Sequence, residues 1–176
     1  MSKSRGTALP LTDADIGRWE RFVLKTATCW VWMGAVGQDG YGRFSLRPEP
    51  GGKQRTVTPH QVAAFLATGG PGEGETVLHD CDFRLCCRYV RGHVRVSTQA
   101  ENMQQAAWRG RARGHHPGLV DVRGPQGVAR AVQDALDLAE DRTPEDLADV
   151  LAATLALGDP LAGNLSLFDL APPPSP

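Results

Sequence analysis

The chain has 176 residues, 19 Lys/Arg against 20 Asp/Glu, and a formal net charge of −1. That length allows one domain of moderate size plus appendages, and with no apolar run able to span a bilayer and no signal peptide, a cytoplasmic protein without a membrane partner is expected. The near-neutral total hides an asymmetry: residues 1–116 carry 16 Lys/Arg against 10 Asp/Glu, and residues 117–176 carry 3 against 10. The basic part also holds every Cys and His, a division that suits a nucleic-acid-facing module with a separate acidic tail.

In chain order, residues 1–12 are polar and expected to be disordered. Spaced apolar residues (Ile16, Trp19, Phe22, Val23) predict a short helix over Asp13–Lys25. Trp30, Trp32 and Met33 then open a β-hairpin that turns near Gln38-Asp39-Gly40. Its second strand, Tyr41–Arg47, sets Arg43, Ser45 and Arg47 on one face by period-2 alternation. Glu49–Gln54, with one proline and two glycines, reads as a flexible loop before a third strand at Arg55–Thr58. Pro59 suits the first position of a helix reaching about Ala67. His60 in its first turn fits a hydrogen-bonded structural histidine better than a catalytic one. Gly69–Gly74 is a linker.

The densest stretch runs from Val77 to Arg113. Cys81, Cys86 and His93 give three metal ligands on a tight knuckle, and Cys29 is the remaining cysteine that can supply a fourth. Structural zinc takes four such ligands in a tetrahedron, and cytosolic cysteines are more often ligands than disulfides. Cys87 could replace Cys86, and spacing does not choose between them. Thr76–His79 and His93–Ser97 read as strands around the knuckle. Thr98 reads as an N-cap, with Glu101 completing a capping box for a helix over Gln99–Arg109 that carries Asn102 in its first turn. This order would bring His79 and Asn102 to one place. Imidazole suits general-base work near neutral pH, and a carboxamide oxygen suits Mg²⁺.

The pattern His79-x-Cys81-x4-Cys86, then His93, then Asn102 nine residues on, resembles the His-Me finger (HNH, or ββα-metal) endonucleases. It is most similar to their zinc-stabilised branch, which includes phage HNH proteins and some homing endonucleases. That branch tends to begin with a Cys-Trp-x-Trp-x-Gly segment followed by Gly-Tyr-Gly-Arg-Phe. These stand here as Cys29–Gly34 and Gly40–Phe44. The resemblance covers about residues 28–113. It implies an α+β fold: a His-Me finger core with an N-terminal β-hairpin and a zinc knuckle. It implies His79 as general base, Asn102 as ligand to catalytic Mg²⁺, and Cys29, Cys81, Cys86 and His93 as ligands to structural Zn²⁺. The implied activity is hydrolysis of DNA phosphodiester bonds. Two departures stand out. Six residues without the family's Asn-Pro separate Cys86 from His93, and the usual His-Arg at the preceding helix start is His60-Gln61 here.

Around this core Arg43, Arg47, Arg84, Arg95 and Arg109 are candidate DNA contacts, with Arg88 and Arg91 also flanking the site. Arg43, Arg84 and Arg95 are unranked candidates for bracing the scissile phosphate. Asp80 reads as a supporting residue, because adjacent residues of a strand point to opposite faces. Residues 13–113 thus form the nuclease-like domain and 114–126 a linker. An acidic helical hairpin follows at 127–158, its helices at Gly127–Glu140 and from the Thr143-Pro144 cap to about Leu157. That hairpin is free to pack on the domain, form a homodimer, or bind a partner. Within the tail, 159–176, Asn164-Leu165-Ser166-Leu167-Phe168 resembles the bacterial sliding-clamp-binding pentapeptide. The resemblance implies insertion of Leu165, Leu167 and Phe168 into an apolar clamp pocket. Two other functions fit the same residues: a zinc-bearing DNA-binding module without cleavage, and a zinc-stabilised adaptor acting through its acidic tail. Neither needs both His79 and Asn102.

Overall fold

The computed structural model describes residues 9–46, 53–108 and 121–158. Arg47, Arg109, much of the expected linker, and Leu165, Leu167 and Phe168 lie outside those residues. The described part is a mixed α+β fold with three two-stranded antiparallel pairs and five helices.

Helix α1 (Asp13–Arg21) starts at a capping box in which Thr12 Oγ1 accepts the Asp15 amide at 3.1 Å and the Asp15 carboxylate returns to Thr12. It ends four residues before the expected boundary. Val23–Lys25 leaves as strand β1, because antiparallel β2 (Trp30–Trp32) offers it a ladder, with Val23 opposite Trp32. This corrects the expected hairpin. The Gln38–Gly40 turn closes a single bridge, Val36 to Gly42, while β3 (Phe44–Leu46) pairs with β4 (Arg55–Val57), Phe44 opposite Val57. Phe44 and Leu46 are buried and Ser45 is half-exposed, as the alternation requires.

Helix α2 (Pro59–Thr68) opens with proline at its first position and closes at Gly69 in the left-handed region. Strands β5 (Glu75–His79) and β6 (Val94–Thr98) form a ladder that sets His79 opposite Val94. Helix α3 (Gln99–Trp108) folds back across both. Thr98 Oγ1 accepts the Glu101 amide at 3.2 Å. The expected return half of that capping box is replaced, for the Glu101 carboxylate takes Arg95 and Ser97 instead.

Helix α4 (Gly124–Asp137) begins three residues earlier than expected, with Pro125 in its first turn. Helix α5 (Pro144–Ala156) is capped by Thr143 as expected. Their apolar faces join the core: Ala129, Val132, Leu136, Leu147 and Leu151 cluster with Val31, Trp32, Val62, Leu85 and Val94. Burying each large side chain contributes about 1.5–3 kcal/mol. Polar contacts fix the placement. Gln133 Nε2 donates to the carbonyls of Trp32 (3.0 Å) and Gly34 (2.8 Å), and the Ala27 amide donates to Pro144 O at 2.7 Å. Of the roles open to the acidic hairpin, packing on the rest of the chain is the one observed.

Gly40 lies where the β2–β3 connection meets α4. Its φ is +77°, and a Cβ there would stand 2.5 Å from Pro125 O. Gly40→Ala is therefore expected to lower stability by about 1–3 kcal/mol, read as a reduced urea midpoint. An unchanged midpoint would mean that α4 does not sit against this turn.

Candidate metal centre and adjoining cleft

Residues 85–87 run beside β2. The Trp32 amide donates to Leu85 O at 2.9 Å and the Cys87 amide to Trp30 O at 2.7 Å, with Val31 bridged to Cys86. Extended backbone sends successive side chains to opposite faces, so Cys86 and Cys87 separate. Cys86 faces the residue that precedes β2, which is Cys29. Cys87 turns into the core, where burial and then the Cys86 charge push its thiol well up. The choice that spacing left open thus falls on Cys86.

The sulfurs of Cys29, Cys81 and Cys86 and a ring nitrogen of His93 all lie within 4.8 Å of one another. His93 Nδ1 is 3.5 Å from Cys29 Sγ and 3.6 Å from Cys86 Sγ. A tetrahedron built from usual zinc–sulfur and zinc–nitrogen bonds has mixed edges of about 3.6 Å. The donor set therefore fits a metal such as zinc. Its electrostatics point the same way. Hydrogen bonds from Cys29 and Cys86 hold the Cys81 thiol far below its ordinary range, while the bonds to Cys81 and Cys86, with burial, push Cys29 far above. One thiolate is favoured where three would repel, and a cation removes that repulsion.

The six-residue interval before His93 folds tightly. Val90 N and Val94 N both donate to Arg88 O, and His93 N donates to Val90 O. Gly92, with φ +85°, turns the chain back toward the donors. Arg88 is not directed to a ligand. Its guanidinium holds the carbonyls of Ala27 (2.7 Å) and Thr28, securing the segment that leads into Cys29.

On the other side of the knuckle, His79, Asn102, His60, Tyr41, Arg84 and Gln105 line one cleft. The residues expected to meet, His79 and Asn102, share this wall. His79 Nε2 lies 2.9 Å from Cys86 O. A carbonyl only accepts, so Nε2 carries the proton and Nδ1 the lone pair. Burial, opposed by that hydrogen bond, lowers the His79 pKa below its ordinary 6.5, which keeps the ring neutral at physiological pH. The ring stacks near Tyr41 (6.0 Å) and meets the edge of His60 at 4.4 Å between centroids.

His60 departs from the structural histidine expected. Its Nε2 reaches Thr58 Oγ1 at 3.2 Å, but its buried Nδ1 has no hydrogen-bond partner among the described residues. Such a group costs about 1–3 kcal/mol. Burial first, then the His79 and Arg43 charges, hold its pKa well below 6.5.

The arginines divide. Arg43 is paired with Asp39 at 2.7 Å. Arg95 is paired with Asp80 at 2.9 Å and Glu101 at 3.3 Å. Arg84, inside the cleft, donates to the backbone carbonyl of Asp39 (2.9 Å) and lies over Tyr41. Asp80, beside His79, does not line the cleft. Sequence reasoning passed over Tyr41 and Gln105. Two signals were available: Tyr41 lies within the Gly40–Phe44 segment, and Gln105 follows Asn102 by three residues on the same helix face.

No family model and no solved structure matches the chain. It is 31% identical over 93 residues to "Protein 2.8" of Escherichia phage T7, a stretch covering 53% of this chain and 59% of that protein. The match thus spans less than two thirds of the relative.

Metal analysis of purified protein is expected to give stoichiometric zinc, kept in Cys87→Ser and lost in Cys86→Ser; the reverse pattern would reassign the ligand. His60 also makes stability depend on pH. The unfolded chain takes up a proton near 6.5, whereas folded His60 resists it to well below that value. Its contribution is full above pH 6.5 and lost as pH falls below it. His60→Phe should therefore show a shallower loss of urea stability below pH 6.5 than the wild type. Parallel profiles would contradict a depressed His60.

Proposed function

We propose that the protein is a DNA endonuclease that hydrolyses phosphodiester bonds with one divalent cation, His79 as general base and Asn102 as the protein ligand to Mg²⁺. The observation that carries this reading is the His79 imidazole. Its Nε2 proton is committed to the Cys86 carbonyl, its lone pair is on Nδ1, burial keeps it neutral, and Asn102 lines the same cleft. A neutral base beside a hard oxygen donor is the pair that metal-assisted attack on phosphorus needs.

His79 Nδ1 takes a proton from water, and the water oxygen bonds to phosphorus in line with the departing 3′-oxygen. The P–O3′ bond breaks, its electron pair stays on that oxygen, and a solvent proton completes the 3′-hydroxyl opposite a 5′-phosphate. Asn102 would hold Mg²⁺, which when bound would supply positive charge for the phosphate and the leaving oxygen. Arg84 is the arginine best placed to brace the phosphate. It lines the cleft and spends its hydrogen bond on a carbonyl, whereas carboxylates hold Arg43 and Arg95. Zn²⁺ held by the Cys₃His set would have a structural role, fixing the segment whose Cys86 carbonyl meets His79.

The test is relaxation of supercoiled plasmid in Mg²⁺ by the wild type and by folded, zinc-loaded His79→Ala. The wild type is expected to nick, and the variant to be slower by about a hundredfold or more. Equal rates would remove His79 as the base. A wild type that binds DNA without cutting it, on plasmid and on genomic DNA alike, would favour a zinc-bearing binding module.

A further inference from the structure

Helix α3 carries Asn102, yet none of residues 99–107 is buried, and Met103 is 64% exposed. Apolar packing of those residues does not set where Asn102 stands relative to His79. A polar network takes that place. The Asp80 carboxylate accepts Arg95 Nε through both oxygens, at 3.1 and 2.9 Å, and Gln105 Nε2 at 3.0 Å. Arg95 reaches on to Glu101 Oε2 at 3.3 Å, and Ser97 Oγ donates to the same oxygen.

The positions in this network matter more than the number of bonds. Asp80 is the residue after His79, Arg95 and Ser97 lie on β6, and Glu101 and Gln105 stand one residue before and three after Asn102. The network thus ties the neighbour of the base to the helix turn that holds the metal ligand. Single exposed ion pairs contribute little, but two-oxygen carboxylate contacts joined in a network hold geometry well.

We infer that Asp80 and Arg95 are positioning residues, a brace that holds α3 so that the Asn102 oxygen and the His79 imidazole address the same phosphate. This rests on the nuclease reading above. Arg95, expected from its position to contact DNA, acts here inside the protein.

The experiment is a Mg²⁺ titration of plasmid nicking by wild type, Asp80→Ala, Arg95→Ala and Asp80→Asn, with unfolding midpoint and zinc content measured on each. Asp80→Ala and Arg95→Ala should each raise the half-saturating Mg²⁺ by about tenfold or more, with most of the rate recovered at high Mg²⁺. Asp80→Asn, which keeps an acceptor for its donors, should recover most of the shift. A purely structural role would lower the midpoint and reduce the rate by one factor at every Mg²⁺ concentration, overturning the inference. If Arg95→Ala left the Mg²⁺ requirement unchanged or lowered it, Asp80 would itself be a ligand freed from its arginine, and the brace would also fall.

Amide hydrogen exchange separates this inference from the nuclease reading. In Arg95→Ala, α3 should exchange faster while the β5–β6 ladder keeps its protection. If the wild type makes no nick, the nuclease reading fails and this exchange result alone decides the brace: faster α3 exchange supports it and unchanged exchange overturns it.

Discussion

Two backbone hydrogen bonds, Trp32 N to Leu85 O and Cys87 N to Trp30 O, are the constraint on which the rest of the molecule depends. They lay a three-residue extended segment along β2, and that pairing does three things. It delivers Cys29 to a knuckle that otherwise has three donors. It turns Cys86 toward them and Cys87 away. It also leaves the Cys86 carbonyl to face His79. The thiolate cluster and the cleft are therefore the two sides of one short segment, and the tautomer of the imidazole follows from the backbone path of the metal centre.

Around that segment, charge is managed by pairing. Arg43 and Arg95, which sequence position would turn toward a polyanion, are each held by carboxylates. Arg88 is spent on two carbonyls behind Cys29. The cleft keeps Arg84 beside two imidazoles that burial holds neutral. Such a site places positive charge at one edge and a weak base at its centre.

Helix starts were legible in the sequence because caps are local chemistry. Pro59 at a first helical position, Thr98 before Gln99, and Thr143 before Pro144 each announce a helix within four residues. Pairing of the N-terminal strands was not legible. Trp30–Trp32 has the same apolar character whichever neighbour it joins, and the partner it takes, Val23–Lys25, is written with spacing that also continues α1. The four metal donors could be read from residue type and interval, but the choice of Cys86 needed the β2 contact. His60 could not be read at all. Its unpartnered nitrogen arises from the stacking of α2 against β5 and β6, and no window of sequence contains those three elements.

The separation of the donors along the chain carries a last consequence. Residues 29 and 93 enclose β2 to β5 and α2, so closing the donor cluster also closes a loop around much of the α+β core. The entropy of such a closure grows slowly with length and falls mostly on the unfolded chain. Contacts this far apart in sequence form late and set the pace of folding. Local helices such as α5 need no such ring, whereas the carbonyl that holds the His79 imidazole, Cys86 O, belongs to one of the donors themselves. The placing of the cleft's imidazole is thus tied to a contact between distant residues rather than to any one element.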